Sequence, residues 1–400
     1  SPDGKWVLAA EMENQLWLPC RLLPLDGRGP GTTIGPAGAP CIGAAWLADG
    51  AWMYVNANMK GSFHIWRQRF PDGQPTQVTS GPTEETGLAL APDGRSLVTS
   101  VGITTSSVWV HDRQGERQIS SEGNAHLAGT GPLEARPRAS YFSPDDSKLY
   151  YLTHWGGGST FLDGQLWVAD LSSGKSEPLL PDFTVASFDV SHDGNRLVFA
   201  ASETGNKPHL WLASLDRGSA PRRISAADHD HPMFIPNGEI IFRVSEDGKN
   251  FLYRMNEDGT NRRRIVPTPI LALQSVSPDG RWVVAASPNS GDDATLTVFA
   301  YPTDGGAAVR ICNTCKASWS RDGRRFYISG SETRTHVVAL REANSLPDLP
   351  PGGLRSAKDF DALSVTDVIQ QGLVAPGRDE GVYAFATLTV QRNLYRIPLP

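Results

Sequence analysis

A short turn motif recurs along this 400-residue chain and limits the folds that the chain can adopt. Most copies place an aspartate or asparagine beside glycine, after Ser-Pro or a variant of it, and a β-rich run follows. The copies are Ser1-Pro2-Asp3-Gly4, Leu47-Ala48-Asp49-Gly50, Ala91-Pro92-Asp93-Gly94, Ser143-Pro144-Asp145-Asp146, Ser191-His192-Asp193-Gly194, Ile235-Pro236-Asn237-Gly238, Ser277-Pro278-Asp279-Gly280, Ser320-Arg321-Asp322-Gly323 and the degraded Ala375-Pro376-Gly377. Most neighbouring copies lie roughly 42 to 52 residues apart, the period expected of four-stranded propeller blades. The chain is therefore predicted to be an all-β propeller.

The residues around each turn explain the motif. Proline presets φ at the first turn position, aspartate can bond its own backbone, and glycine adopts the positive φ that closes the turn. The next run alternates with period two, as in residues 281–286, and a second run carries an aromatic residue near its middle. These aromatic residues are Trp17, Trp66, Trp109, Trp167, Trp211, Tyr253 and Tyr395. We expect them to pack between neighbouring sheets, where large rings bury much apolar area.

The repeat count predicts more than seven blades and fewer than nine complete ones. We expect residues 1–400 to form a single propeller of eight antiparallel four-stranded blades, with the outer strand of the last supplied from near the start. A seven-bladed ring with extra N-terminal strands and two incomplete propellers are the alternatives. The first copy begins within a blade, which predicts that the chain is part of a longer protein. Residues 341–362, rich in proline and glycine, are predicted to form a long surface connection.

Composition narrows the classes of partner. The 40 glycines and 30 prolines suit many short strands joined by turns, and a net charge of −6 offers no basic footprint for nucleic acid. Arg262-Arg263-Arg264 is the densest basic run and is interpreted as a solvated outer strand. No apolar run approaches the length of about twenty residues that crosses a membrane, so we expect no membrane insertion in this chain. The chain is expected to be a monomer.

The Ser-Pro-Asp-Gly turns with downstream Leu-Trp runs resemble those of the TolB-like propellers. Residues 63–73, 277–284 and 390–398 also resemble the C-terminal propeller region of bacterial serine/threonine kinases and winged-helix regulators. The resemblance covers essentially the whole chain and implies a binding or sensory propeller, with repeats of the WD40-like design. It brings no catalytic motif with it.

Catalytic signatures are missing from the sequence. The glycine-rich, His-Arg-Asp and Asp-Phe-Gly motifs of kinases are not found, and neither is the Gly-x-Ser-x-Gly elbow of a prolyl-oligopeptidase-type hydrolase. We therefore assign no catalytic residue, and the ligand-binding residues stay unknown at this point.

The segment Asp228-His229-Asp230-His231 contains the densest group of potential metal ligands. Positions two apart on a strand share a face, so His229 and His231 could both ligate one divalent metal while an aspartate orients a ring nitrogen. No third ligand follows from the spacing, and a solvated loop is the competing interpretation. No other cofactor is expected.

Four cysteines allow two disulfides. Cys312 and Cys315 have the spacing of a metal or redox half-site, but a local disulfide or two free thiols fits the absence of further ligands better. Cys20 and Cys41 stand in the corresponding region of the first unit and could pair with each other. An even count permits two bridges without fixing the compartment.

The function predicted is a non-catalytic binding or sensory module that presents loops around a central channel to a protein, peptide or carbohydrate ligand. The alternative is a hydrolase or lyase that acts on a polysaccharide or related polymer through a channel lined by His and Asp, in which a divalent metal could bind. We expect a bacterial protein, periplasmic or extracellular rather than cytoplasmic. Departures from the repeat are the places to seek function: Asp146, Asn237, the Asp228–His231 cluster and the glycine-rich loop after Trp155.

Overall fold

A computed structural model describes most of the chain: residues 1–13, 16–59, 62–120, 124–126, 142–154, 164–202, 207–216, 218–226, 228–288, 296–330 and 333–399. The chain divides into two compact units. Unit 1 comprises Ser1–Ser106, His154–Phe161 and Leu388–Pro400, and unit 2 comprises Ser107–Thr153 and Leu162–Thr387. The glycine-rich loop after Trp155 lies outside the described residues.

Strands make up nearly all of the regular structure. The first half contains β1 (Trp6–Ala9), β2 (Met12–Glu13), β3 (Leu16–Trp17), β4 (Arg21–Pro24), β5 (Thr32–Thr33), β6 (Cys41–Trp46), β7 (Trp52–Met59), β8 (Ser62–Arg69), β9 (Thr76–Gln77), β10 (Glu84–Leu90), β11 (Ser96–Asp112), β12 (Gly115–Gln118), β13 (Asn124–His126), β14 (Lys148–His154), β15 (Gln165–Asp170), β16 (Ser176–Pro178), β17 (Val185–Val190) and β18 (Arg196–Ala201). The second half contains β19 (His209–Ser214), β20 (Arg222–Arg223), β21 (His229–Ile235), β22 (Glu239–Glu246), β23 (Lys249–Asn256), β24 (Arg263–Arg264), β25 (Ala272–Val276), β26 (Trp282–Pro288), β27 (Leu296–Pro302), β28 (Val309–Asn313), β29 (Lys316–Trp319), β30 (Arg325–Ser329), β31 (Thr335–Ala339), the helix α1 (Ala357–Asp361), β32 (Asp367–Ile369), β33 (Ala375–Pro376) and β34 (Tyr383–Pro398).

Unit 2 consists of consecutive four-stranded antiparallel sheets. Their strand orders are β13-β14-β15-β16, β17-β18-β19-β20, β21-β22-β23-β24, β25-β26-β27-β28 and β29-β30-β31-β32. A further sheet of this unit joins β33, β34, β11 and β12 in that order. The first strands of successive sheets contact one another, β17 with β21, β21 with β25 and β25 with β29. This is the arrangement of propeller blades around an axis.

Unit 1 repeats the same kind of sheet. β6 to β9 form a four-stranded sheet in sequence order, β1, β4 and β5 form a three-stranded one, and β2 pairs with β3. β10 pairs with β11, and β34 lies on the other side of β11. The predicted all-β architecture of four-stranded antiparallel sheets is thus confirmed, whereas the count of eight blades is not confirmed. The single propeller over residues 1–400 stays a prediction.

The recurrent turns are built as the motif predicts. At the copy 277–280, Gly280 has φ +75° and its N–H donates to the carbonyl of Ser277 at 2.8 Å. The Ser277 hydroxyl adds a bond that the sequence did not indicate, since it donates to Asp279 at 2.6 Å and accepts the Trp282 N–H at 2.9 Å. The turn is therefore fixed at both ends by one serine. The copies at Ser143, Ser191 and Ser320 repeat this pattern.

Two aromatic residues of the third strands stack on their cross-strand partners in the same sheet. Trp167 stacks on Tyr151 with ring centroids 6.5 Å apart, and Trp211 stacks on Phe199 at 6.4 Å. Both rings pack against the largest hydrophobic cluster of unit 2. Tyr395 differs, since 51% of it is exposed. The prediction of a packed ring is therefore wrong for Tyr395. An aromatic residue at this position of the repeat is buried only where a neighbouring sheet covers it.

Residues 341–362 pass along the edge of the fifth unit-2 sheet and the one before it. Leu354 is fully buried, and its N–H and carbonyl bond to Ile311 and Asn313 on β28 at 2.8 and 2.9 Å. Phe360 of α1 packs against the hydrophobic cluster that contains Leu354 and Ile311. The segment thereby covers an edge strand that would otherwise expose unpaired backbone groups.

The cysteines lie in pairs. Cys20 and Cys41 form a disulfide with Cα atoms 5.3 Å apart in unit 1, and Cys312 and Cys315 form one with Cα atoms 6.0 Å apart in unit 2. Within the described ranges, no helix combines the length and apolar character needed to span a bilayer.

Candidate functional site

Unit 2 contains a cavity of about 100 Å³ where the first strands of its sheets meet their turns. This volume accommodates several water molecules or a small chemical group. Six successive sheets contribute to the wall, through Phe142, Asp189, Phe234, Ser275, Ser318 and Ala375. The cavity therefore lies on the axis around which the sheets are arranged, and we call it the axial cavity.

Two turns place a polar residue where the motif has proline. His192 and Arg321 occupy the second position of their turns and line the axial cavity, as do Pro278 and Pro376 from equivalent positions. Because these positions are equivalent by the repeat, the fold directs them all toward one region. Histidine or arginine in place of proline adds a polar side chain to the cavity wall. The adjacent Asp-Gly pair still forms the turn.

Arg321 extends from its own turn to two other sheets. Its Nη1 donates to the Phe142 carbonyl and its Nη2 to the Ser191 carbonyl, both at 3.1 Å. Burial lowers the pKa of the guanidinium from its ordinary value, and the nearby Asp189 and Asp146 only partly oppose this effect. The hydrogen bonds of the group thus go to neutral oxygens, while the carboxylates of Asp189 and Asp146 interact with its charge across the cavity.

His192 remains exposed at the cavity wall. Although part of its surface is exposed, partial desolvation by neighbouring groups lowers its pKa, and the charge of Arg321 acts in the same direction, against Asp189 and Asp193. The imidazole is therefore mainly neutral near pH 7 and presents one donor and one acceptor nitrogen.

The two carboxylates of the cavity accept hydrogen bonds from backbone N–H groups. Asp189 on β17 is 4% exposed, and its Oδ2 accepts the N–H of Phe234 on the next sheet at 2.8 Å. Asp146 accepts the N–H of Arg378 at 2.8 Å and that of Asp379 at 3.3 Å. These bonds join the sheets of the wall in two pairs, four sheets in all, and orient both carboxylates.

Asp146 is also an exception to the turn chemistry. It stands where other copies have glycine and adopts φ +57°, a conformation that L-residues seldom take. Burial raises the pKa of its carboxyl, although the two N–H donors act to lower it. The residue with the strained backbone thus also accepts a hydrogen bond from the N–H of Arg378, which lies 232 residues further along the chain.

The axial cavity gathers several titratable side chains. Titratable side chains do converge from several sheets, as an enzyme would require. However, in the portion of the chain that the structure describes, no three His, Cys, Asp or Glu side chains come together in a way that could hold a metal ion. The cavity therefore combines a guanidinium, an imidazole and two backbone-bonded carboxylates.

The predicted metal ligands lie elsewhere on unit 2. His231 adopts φ +55°, so the extended geometry that would place it on one face with His229 is interrupted. Its Nδ1 is 2.8 Å from Asp230, and Asp230 also accepts a bond from Nε of Arg243 at 2.7 Å. Burial raises the pKa of Asp230, but Arg243 and His231 together bring it well below its ordinary value. The aspartate is thus committed to an ion pair, and the metal site stays a prediction.

The remaining departures from the repeat have local roles in the structure. Asn237 has φ +78°, which asparagine tolerates better than most residues, and so keeps a tight turn with Gly238. Sequence reasoning did not single out His192 or Arg321. The signal was present in the sequence, as a non-proline residue at the second turn position in copies that keep Ser, Asp and Gly.

Comparison with known proteins gives distant similarities. No model of a protein family matches the chain. A dipeptidyl-peptidase 5 from Porphyromonas gingivalis is 22% identical over 222 residues, which are 53% of this chain. The match spans only 29% of the length of that protein.

Solved structures resemble the chain at similarly low identity. A putative TolB from Agrobacterium tumefaciens matches 75% of this chain and 100% of that chain, with 15% identity and a TM-score of 0.49. An oligogalacturonate lyase from Vibrio parahaemolyticus matches 81% and 93% of the two chains, with 13% identity and a TM-score of 0.38. TolB, which the turn motifs resemble, is thus among the similar structures. The resemblance to kinase and winged-helix regulator propellers stays a prediction.

Proposed function

We propose that the protein is a non-catalytic binding module whose ligand enters the axial cavity of unit 2. The observation that carries this proposal is that His192 and Arg321 replace proline in turns that otherwise repeat, and both line the same cavity. The turn itself does not require histidine or arginine, because proline serves the equivalent turns at residues 278 and 376.

A peptide or protein segment is the ligand class that the cavity walls favour. A carbohydrate usually stacks on an exposed aromatic face, but the aromatic residues of the wall are nearly enclosed. Phe142, Phe234 and Trp319 are 3%, 6% and 5% exposed. Polar groups that converge with apolar walls instead suit a short segment that inserts one side chain or terminus.

The test is a peptide-display selection followed by a blocking variant. Peptides selected from a random library against the intact protein are measured for binding to the wild type, His192→Trp and Lys175→Trp. His192 is exposed and lines the cavity, so the indole fills it without entering the core, whereas Lys175 is exposed in a distant hairpin. We expect His192→Trp to weaken binding by about tenfold or more, and Lys175→Trp to leave it unchanged. Selected peptides that bind both variants equally would refute the proposal.

A polymer-degrading enzyme is the second candidate function. It is favoured by the convergence of Asp146, Asp189 and His192 from different sheets on one cavity. The assay is release of reducing or unsaturated ends from acidic and neutral polysaccharides, with and without Mn²⁺. Turnover that disappears in Asp189→Asn would establish this function instead of the first.

We also propose a ring of six blades for unit 2, with the sheets of unit 1 containing the first three turn copies. The support is that six sheets line the axial cavity. For the location we propose the periplasm or the extracellular space, because two disulfides persist best in an oxidising compartment. The test is to express the protein separately in the cytoplasm and in the periplasm and to map its disulfides by peptide mapping without reductant. We expect both disulfides to be complete only in the periplasmic protein.

A further inference from the structure

We infer that the ligand presents a carboxylate, from an acidic side chain or the carboxyl terminus of a peptide, to the guanidinium of Arg321. This inference rests on the proposed function and specifies the chemistry of its ligand. It follows from how the charges of the axial cavity are already bonded.

The negative groups of the cavity have strong partners within the protein. Asp146 accepts two backbone N–H groups, those of Arg378 and Asp379, and Asp189 accepts the N–H of Phe234. Backbone donors of the wall thus take up part of the acceptor capacity of both carboxylates. A cationic ligand would have to compete with these fixed donors.

The positive group is bonded differently. Arg321 donates one bond to each of two carbonyls at 3.1 Å, and these bonds fix the orientation of the planar group. A guanidinium has five N–H donors, so three remain for a ligand. A carboxylate matches this planar fork with two parallel bonds, which are stronger than bonds to neutral oxygens.

Two further groups at the cavity suit the same ligand. His192 is exposed beside the Ser191 carbonyl that orients Arg321, and its ring can donate one hydrogen bond. The side chain of Arg378 is exposed at the rim, while its N–H holds Asp146. An anion entering the cavity would therefore pass one arginine and reach another.

The cavity size restricts the group that enters. About 100 Å³ suits a carboxylate with a short stem rather than a folded segment or a sugar ring with its substituents. The aromatic rings of the wall are nearly enclosed, so a sugar ring could not stack on their faces. We therefore commit to a peptide carboxylate and treat an acidic sugar as an alternative outcome.

The experiment compares an acid with its neutral isostere. Ligand-observed saturation-transfer NMR measures binding of N-acetyl-L-glutamate, N-acetyl-L-glutamine and D-glucuronate to the intact protein. The variants are Arg321→Gln, Arg321→Lys and the control Arg341→Gln, whose side chain is 85% exposed. Thermal unfolding checks that each variant is folded.

We expect the wild type to bind the glutamate derivative about tenfold or more tightly than the glutamine derivative. Arg321→Gln should abolish this preference, Arg321→Lys should keep part of it through its charge, and Arg341→Gln should leave it unchanged. Equal binding of acid and amide, an unchanged preference in Arg321→Gln, or no binding of the acid would overturn the inference. So would glucuronate binding more tightly than the glutamate derivative in an Arg321-dependent manner.

Failure of this inference differs from failure of the proposed function. If displayed peptides are blocked by His192→Trp but bind equally well after their carboxyl groups are converted to amides, the binding site stands and the carboxylate is refuted. If no displayed peptide is blocked by His192→Trp, the proposed function itself is refuted.

Discussion

Single residues that depart from the repeat have measurable consequences, and Asp146 is the clearest case. Its positive φ opposes folding, whereas its carboxylate bonds to the N–H groups of Arg378 and Asp379 favour the native state. Asp146→Ala keeps the strained backbone and removes the acceptor, so we expect a loss of about 2 to 3 kcal/mol of unfolding free energy. Asp146→Gly removes both and should lose about 1 kcal/mol less. Chemical denaturation followed by fluorescence gives the difference, and equal losses would contradict this explanation.

A buried histidine gives a pH dependence at the same scale. His229 is 3% exposed, packs on Phe242 with ring centroids 5.2 Å apart, and its Nδ1 has no hydrogen-bond partner among the described residues. Burial first, and the charge of Arg262 second, lower its pKa from 6.5 to about 4. Between these two pH values, His229 is therefore protonated in the unfolded chain but neutral in the folded chain.

The sign of this effect is fixed by the direction of the shift. The free energy of unfolding is unaffected by His229 above about pH 6.5. As the pH falls toward 4, the free energy of unfolding decreases by up to roughly 3 kcal/mol, because the unfolded chain takes up the proton first. His229→Gln does not titrate, so the stability advantage of the wild type over this variant should shrink across that range. Denaturation midpoints at several pH values measure it. A constant difference between the two proteins would show that His229 does not titrate as described.

At the scale of elements, the Asp-Gly turns are more than local connections. A Cβ added at Gly280 would lie 3.1 Å from Cβ of Ile235 and 3.3 Å from Cδ of Pro236 in the preceding copy. Gly248 provides a matched control, because its φ of +73° is almost the same but nothing lies within 4 Å of its added Cβ. We expect Gly248→Ala to cost about 1 kcal/mol for the backbone alone.

Gly280→Ala should cost more, about 2 kcal/mol, because crowding against the neighbouring turn is added to the backbone term. Denaturation of the two variants side by side isolates that packing. Equal costs would mean that neighbouring turns do not support each other.

The sequence predicted these elements well where the determinants are local. A turn and its flanking strands depend on residues within about ten positions, so Ser277 to Gly280 and the following strand β26 could be predicted from proline, aspartate and period-two alternation. The second bond of Ser277 to the Trp282 N–H was missed, although it recurs at equivalent serines. Whether a ring is covered is non-local, which explains why Tyr395 is exposed despite its place in the repeat.

At the scale of the whole molecule, sequence periodicity predicted the number of repeats but did not predict how they pack together. The bond between Asp146 and the Arg378 N–H joins positions 232 residues apart, and no pattern of neighbours encodes it. The candidate site was missed for a related reason. His192 and Arg321 look like ordinary turn residues until the sheets bring them to one cavity.

The most direct test of the central claim is the crystal structure of the protein with a peptide obtained by the selection. We predict peptide density in the axial cavity of unit 2, with a carboxylate oxygen within hydrogen-bonding distance of the Arg321 guanidinium and the Phe142 and Ser191 carbonyls still bonded to it. A peptide bound instead at another surface, such as the apolar hollow beside Leu179 and Phe183, would contradict the claim.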